Sequence, residues 1–274
     1  METYWLVTTF LLGTIIGSFL NVVAYRMHTG RSINGRSHCM SCGETLRWYE
    51  LLPIVSYIVL RARCGMCGAY IPYRYLLVEF LTGGMFLLMF HLFGTNLIMF
   101  SLYALLSSVL VLIVVYDLRH TIIPDELSLA AGGIALIMKG YEYVLIGKAS
   151  MVWYDVLAGL GAGAFFYALW RVSKGKWIGL GDAKLALPLG IIAGVSGALS
   201  MVVLSFWIGA AISLVLLIAA RLVEKGKTML RFPFGQLTMK SEVPFAPFLI
   251  LGFLLAHLFH ADIFVITSYL IPLG

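Results

Sequence analysis

Few residues in this 274-residue chain can do chemistry, because only 12% of it is charged. Two aspartates stand out by where they fall. Asp117 follows a run that is apolar from Val109 to Val115, in "LIVVYDLRHTIIPDELS". Asp182 opens another apolar stretch, in "IGLGDAKLALPLG", just after Gly179 and Gly181 and two residues before Lys184. Ionisable groups next to hydrocarbon are costly and are usually retained for function. Two carboxylates that approach closely do not both ionise readily, so one keeps a proton while the other acts as a base. That is the equipment of an aspartic protease: one carboxylate deprotonates a water, the other protonates the scissile carbonyl, and no covalent intermediate forms. Without side chains at Gly179 and Gly181, another helix or an extended substrate can approach the backbone beside Asp182. Lys184 is expected to hold Asp182 ionised by its charge. Each acid also has a plainer reading. Asp117 can pair with Arg119 or end a helix, and Asp182 can cap one. Asp125, after Pro124, reads as a first-turn residue favoured by the helix dipole. His120 reads as an interfacial residue and Arg119 as a membrane-side anchor.

A second group is sulfur-based. Cys39, Cys42, Cys64 and Cys67 are all the cysteines in the chain. They form two C-x-x-C pairs, each followed by a glycine, Gly43 and Gly68. Such a turn points backbone amides at sulfur while both thiolates face one point. Two of these knuckles make a tetrahedral four-sulfur site, the geometry zinc prefers. A closed site of this kind has no open position for chemistry. Its expected role is to fold a small module with little core of its own. Between the knuckles, "LLPIVSYIVL" is too short to cross a bilayer and is expected to lie along the bundle or the membrane surface.

The elements that must position these groups are written in the hydropathy. The chain is 61% hydrophobic, and its apolar residues fall in blocks about 20 long, the length of a membrane-crossing helix. The fold class is therefore all-α, a polytopic membrane protein. A β-barrel would alternate rather than run solidly apolar. The first block, Trp5 to Tyr25, is preceded by Glu2 and followed by Arg26, the reverse of a cleaved signal. It reads as a true span with its N-terminus outside. Eight spans are expected, near 4–25, 75–94, 97–117, 125–139, 151–171, 183–197, 199–221 and 245–270, the fourth and sixth being short. The chain then divides into a first transmembrane helix (1–25), a cysteine module (26–74) and a membrane-embedded region (75–274). Of the nineteen lysines and arginines, only Lys139 and Lys148 fall on the side away from the cysteine module. Basic loops stay cytoplasmic, which puts that module, Asp117 and Asp182 on the cytoplasmic face. The net charge of +6 follows from this topology and needs no nucleic-acid partner. The partner implied by the spans is the lipid bilayer.

With these residues in view, the chain resembles the bacterial type IV prepilin peptidases, the leader peptidase/N-methyltransferase enzymes. The motifs run in order along nearly its whole length: "GSFLNVVAYR", the twin cysteine knuckles, "RYLLVE", "YDLRHTIIPDELS", "GLGDAKL" and "VPFAPFLILG". The resemblance implies a GxGD-type aspartic protease with Asp182 and Asp117 as its acids. It implies cleavage of a short, basic leader from a prepilin or pseudopilin at the cytoplasmic face of the bacterial inner membrane. It also implies methylation of the new N-terminal residue with S-adenosylmethionine, linked to the cysteine module. Where members commonly carry a glycine–basic pair before the third cysteine, this chain has Ala62–Arg63. No G-x-G-x-x-G follows a strand, and no residue is assigned to cofactor binding. Three other classes compete. Presenilin-like and signal-peptide-peptidase-like proteases share the tyrosine–aspartate and "GLGD" but lack the knuckles. A proton-coupled transporter could use paired carboxylates as a relay, but shows inverted repeats, and none is found here. The third is a zinc-bearing membrane scaffold without catalysis.

Overall fold

The computed structural model describes residues 2–29, 32, 34–225 and 244–261. Its helices are α1 (Glu2–Arg26), α2 (Val55–Val59), α3 (Arg74–Phe93), α4 (Leu97–His120), α5 (Asp125–Ile146), α6 (Val152–Ser173), α7 (Leu180–Lys225) and α8 (Ala246–Leu258). All but α2 and α8 are long and apolar enough to cross a membrane. The architecture is the expected one, a multi-pass helical membrane protein. Arg31 and the loop with Lys227, Arg231 and Lys240 lie outside the described residues, as does the end of the eighth expected span.

The chain forms two compact units, Met1–Tyr116 and Asp117–Gly274. In the first, α1 and α3 pack through small residues. A Cβ on Gly13 would stand 2.8 Å from the Gly83 Cα, and one on Gly17 would stand 2.8 Å from the Glu79 Cα. Lipid gives helices no hydrophobic reason to associate, so close backbone approach supplies the van der Waals contact that holds them. Asn21 adds a side-chain bond to the Tyr75 carbonyl, 3.2 Å. The turn into α4 is closed by the Asn96 carboxamide, which accepts the Met99 N–H at 3.2 Å, and Phe93 stacks on Tyr103 at 4.0 Å. The segment between the knuckles is a short 3-10 turn, Trp48–Leu51, followed by the five-residue α2. Ile58 and Val59 on α2 are exposed, as befits a segment too short to span.

In the second unit α7 is the central element. At 1.5 Å per residue, its 46 residues would run about 69 Å as one rod, over twice the hydrocarbon thickness. Gly194 breaks it, with φ 74° and ψ −175°, so residues 180–193 and 195–225 are separate helices. The break falls close to the boundary expected between 183–197 and 199–221, but six helices rather than eight are long and apolar enough to cross among the described residues. Before it, α6 packs closely on α7: a Cβ on Gly159 would clash with the Leu187 carbonyl and Ile191. After it, Gly252 of α8 meets the Met201 carbonyl and Ser205 backbone in the same way. The fourth span is not short. Helix α5 continues past 139 to Ile146, because Lys139 does not mark a membrane exit. It is buried and pairs with Asp155 of α6 at 3.2 Å, and the Tyr143 hydroxyl donates to the same Asp155 oxygen at 3.0 Å.

The backbone at Gly194 is open almost only to glycine, and a Cβ there would also sit 3.1 Å from Asp155 Oδ1. Gly194→Ala should therefore cost about 1–3 kcal/mol and lower the thermal midpoint in detergent. An unchanged midpoint would mean that α7 is not broken there.

Candidate active site and metal centre

Asp117 lies one turn from the end of α4 and Asp182 in the first turn of α7. Both belong to the second unit, and both are buried, at 4% and 6% exposure. Each is held by one backbone amide at the start of a helix. Gly179, the residue before α7, donates its N–H to Asp182 Oδ2 at 3.1 Å. This is half of a capping box, in which an acid of the first turn reaches back to a free amide. Asp117 Oδ2 accepts the Ala246 N–H, the first of α8, at 3.3 Å. The positive ends of two helices thus face the two acids. The carboxylates are close enough for the charge on one to act on the other. Among the described residues, no other hydrogen bond reaches either acid, so the second oxygen of each is available to a water or a substrate group.

The glycines before Asp182 have different tasks. A Cβ on Gly179 would crowd the carboxylate it holds, at 3.3 Å from Oδ2. A Cβ on Gly181 would stand 2.9 Å from the Ile123 Cβ. The neighbour that Gly181 admits is therefore the chain's own link between α4 and α5, which leaves the helix carrying Asp117. That link turns tightly at Thr121, whose N–H bonds the Asp117 carbonyl at 2.8 Å. Lys184 does not face Asp182. Its Nζ pairs with Asp125 Oδ1 at 2.6 Å, because two residues along a helix is a turn of about 200°. This corrects the expectation that it keeps Asp182 ionised. Asp125 sits in the first turn of α5, after Pro124, as anticipated. The Ala246 amide was not anticipated from sequence. Its signal was the proline at the start of α8, a common helix-opening residue.

The cysteine module repeats one turn twice. In the first copy Gly43 N–H bonds the Cys39 carbonyl at 2.9 Å and Cys39 N–H bonds the Glu44 carbonyl at 2.9 Å. In the second, Gly68 bonds Cys64 at 3.0 Å and Cys64 bonds Ala69 at 2.9 Å. Gly43 and Gly68 have φ of 75° and 71°, the left-handed conformation that makes glycine the residue of choice. The four Sγ atoms lie within 4.8 Å of one another, with Cys39 and Cys67 at 3.9 Å. Tetrahedral zinc with sulfur at about 2.3 Å needs edges of about 3.8 Å, so these residues fit such an ion. The amides of Cys42 and Ser41 pull the Cys39 thiol down to about 6 against the effect of burial, which readies it as a thiolate ligand.

Fold and site together describe a multi-pass helical membrane protein with a buried aspartate pair and a four-sulfur cluster. Residues 11–93 match the bacterial peptidase A24 N-terminal domain and residues 104–214 match the type IV leader peptidase family. Among its relatives are proteins named prepilin leader peptidase/N-methyltransferase. The one from Neisseria gonorrhoeae is 30% identical over 82% of this chain and 84% of its own length. The one from Bacillus subtilis is 28% identical over 91% and 92%. The one from Myxococcus xanthus is 35% identical over 77% of this chain, which spans 62% of that longer protein. The chain belongs to the prepilin leader peptidase/N-methyltransferase family. No solved structure matches it.

Protein purified full-length without chelators should carry about one zinc per chain by elemental analysis, the content of a single four-cysteine site. Cys64→Ser should lose most of it. A wild-type chain free of metal would remove zinc from this module.

Proposed function

We propose that this protein removes the short basic leader of a type IV prepilin or pseudopilin by aspartate-dyad hydrolysis and then methylates the new N-terminus. The observation that carries the reading is the pair of buried carboxylates, Asp117 and Asp182, each oriented by one amide at a helix start and each with an oxygen to spare. In the proposed reaction the ionised member takes a proton from a water held between the two. The resulting hydroxide attacks the scissile carbonyl carbon while the protonated member gives its proton to the carbonyl oxygen. Collapse of the tetrahedral species expels the amine, which leaves with a proton, and one proton stays on the pair. Burial favours this chemistry, since a preorganised site with little water strengthens each charge interaction.

The other parts have supporting roles. Gly179 and Gly181 position Asp182 and admit the α4–α5 link. The cysteine module, with zinc bound, is a folded structural unit. S-adenosylmethionine is the methyl donor for the second step. The lysine and arginine distribution supports a cytoplasmic active site, with the N-terminus of the chain on the opposite side of the inner membrane. A basic leader is then presented to the face on which it is made.

Two measurements test this. Purified protein in detergent should cleave a prepilin, and Asp117→Asn or Asp182→Asn should each lower the rate by at least ~10³-fold without unfolding the chain. Asp125→Asn and Lys184→Ala, which break an exposed ion pair, should cost less than ~10-fold. Full cleavage by either dyad variant would rule the mechanism out. For orientation, alkaline phosphatase fused after Gly147 should be active in cells and inactive when fused after Gly175; the reverse pattern would invert the topology.

A further inference from the structure

The first unit contains a cavity walled by the last turns of α1, the first turns of α3 and the cysteine module. Asn21, Tyr25 and the buried Arg26 line it from α1, Tyr75 and Glu79 from α3, Tyr57 from α2 and Tyr70 from the second knuckle; the Arg26 guanidinium donates to the carbonyls of Ser32, Asn34 and Arg36. Glu79 is the member that points to a ligand. Its side chain is nine-tenths buried. Its Oε2 accepts the Ile54 N–H at 2.8 Å, and the Ser18 hydroxyl is a further donor. Both donors are neutral. Among the described residues no lysine, arginine or histidine forms an ion pair with it. A buried carboxylate normally has an opposite charge beside it. Asp155, the comparable buried acid of the second unit, sits in the first turn of α6 and still has Lys139 at 3.2 Å. Glu79 instead faces an open cavity with four tyrosines in its walls, and aromatic faces suit a diffuse cation that carries few hydrogen bonds of its own.

We propose that this cavity is the binding site for S-adenosylmethionine, with Glu79 facing the sulfonium and the tyrosines enclosing the donor. The proposal rests on the reading of the chain as an N-methyltransferase. It gives that activity a place separate from the aspartate pair, which uses no cofactor. It also gives the metal a second consequence. Cys39 and Cys64 line the same cavity, so an ion that folds the knuckles also builds the wall of the donor site.

The test is equilibrium binding to the full chain in detergent, with zinc content measured on the same samples. Tritiated S-adenosylmethionine, which is cationic, is compared with S-adenosylhomocysteine, its neutral thioether product. Wild-type protein should prefer the cation by about 10-fold. Glu79→Gln should reduce that preference to within about 2-fold, with zinc retained. Stripping the zinc from wild type should abolish binding of both. Independently of any variant, ultraviolet crosslinking of the labelled donor to wild type should place label on peptides within 18–26 or 56–79. A preference that survives Glu79→Gln, or label confined to peptides elsewhere, overturns the assignment. If Glu79→Gln loses its zinc, the crosslink map of the wild type decides. If the wild type binds no donor and leaves cleaved prepilin unmethylated, the N-methyltransferase reading itself fails. Methylation with the label outside those peptides removes only the cavity.

Discussion

A carboxylate beside hydrocarbon must find a polar partner inside the protein, and this constraint organises both units. Among the described residues four acids are buried, and each is answered differently. Asp182 takes the Gly179 amide and Asp117 the Ala246 amide. Asp155 takes Lys139 and the Tyr143 hydroxyl, and Glu79 takes the Ile54 amide. For the first two the partner is the start of a helix, where amides lack intrahelical acceptors and the dipole favours negative charge. Holding an acid this way fixes where α7 and α8 begin. The positions of two helices and the orientation of two carboxylates are therefore one problem with one solution.

Small residues make that solution reachable. The α1–α3, α6–α7 and α7–α8 contacts all run through glycines whose missing side chains let backbones touch. The same device acts on a smaller scale at Gly181, where the α4–α5 link comes within contact of the first turn of α7. Gly194 serves the opposite end, ending one helix and starting another. Glycine in this protein is less a flexible residue than a spacer of zero width.

The two units also divide the candidate functional groups. The sulfur cluster and the tyrosine-walled cavity belong to the first. The aspartate pair belongs to the second. The two family matches fall along a similar division, 11–93 and 104–214. A protein proposed to carry out two successive reactions on one substrate has its sulfur cluster and its aspartate pair in two separately built units.

The sequence by itself determined the helical membrane architecture, the cysteine knuckles and the place of Asp117 and Asp182 at the edges of apolar runs. These rest on local properties: the apolar length of a segment, the spacing C-x-x-C-G, an acid at the edge of an apolar run. It misplaced what depends on a distant partner. Lys184 sits two residues from Asp182 yet pairs with Asp125, 59 residues away, because the helix turns it aside. Lys139 looked like the end of a span and is buried inside one, since α6 brings Asp155 to it. The Ala246 amide reaches Asp117 across 129 residues, and Glu79, which closes the "RYLLVE" motif, showed its burial and its cavity only in the fold. Hydropathy and spacing are properties of neighbours in the chain. Which carboxylate receives which donor is settled by helix packing, and only the tertiary structure brings those residues together.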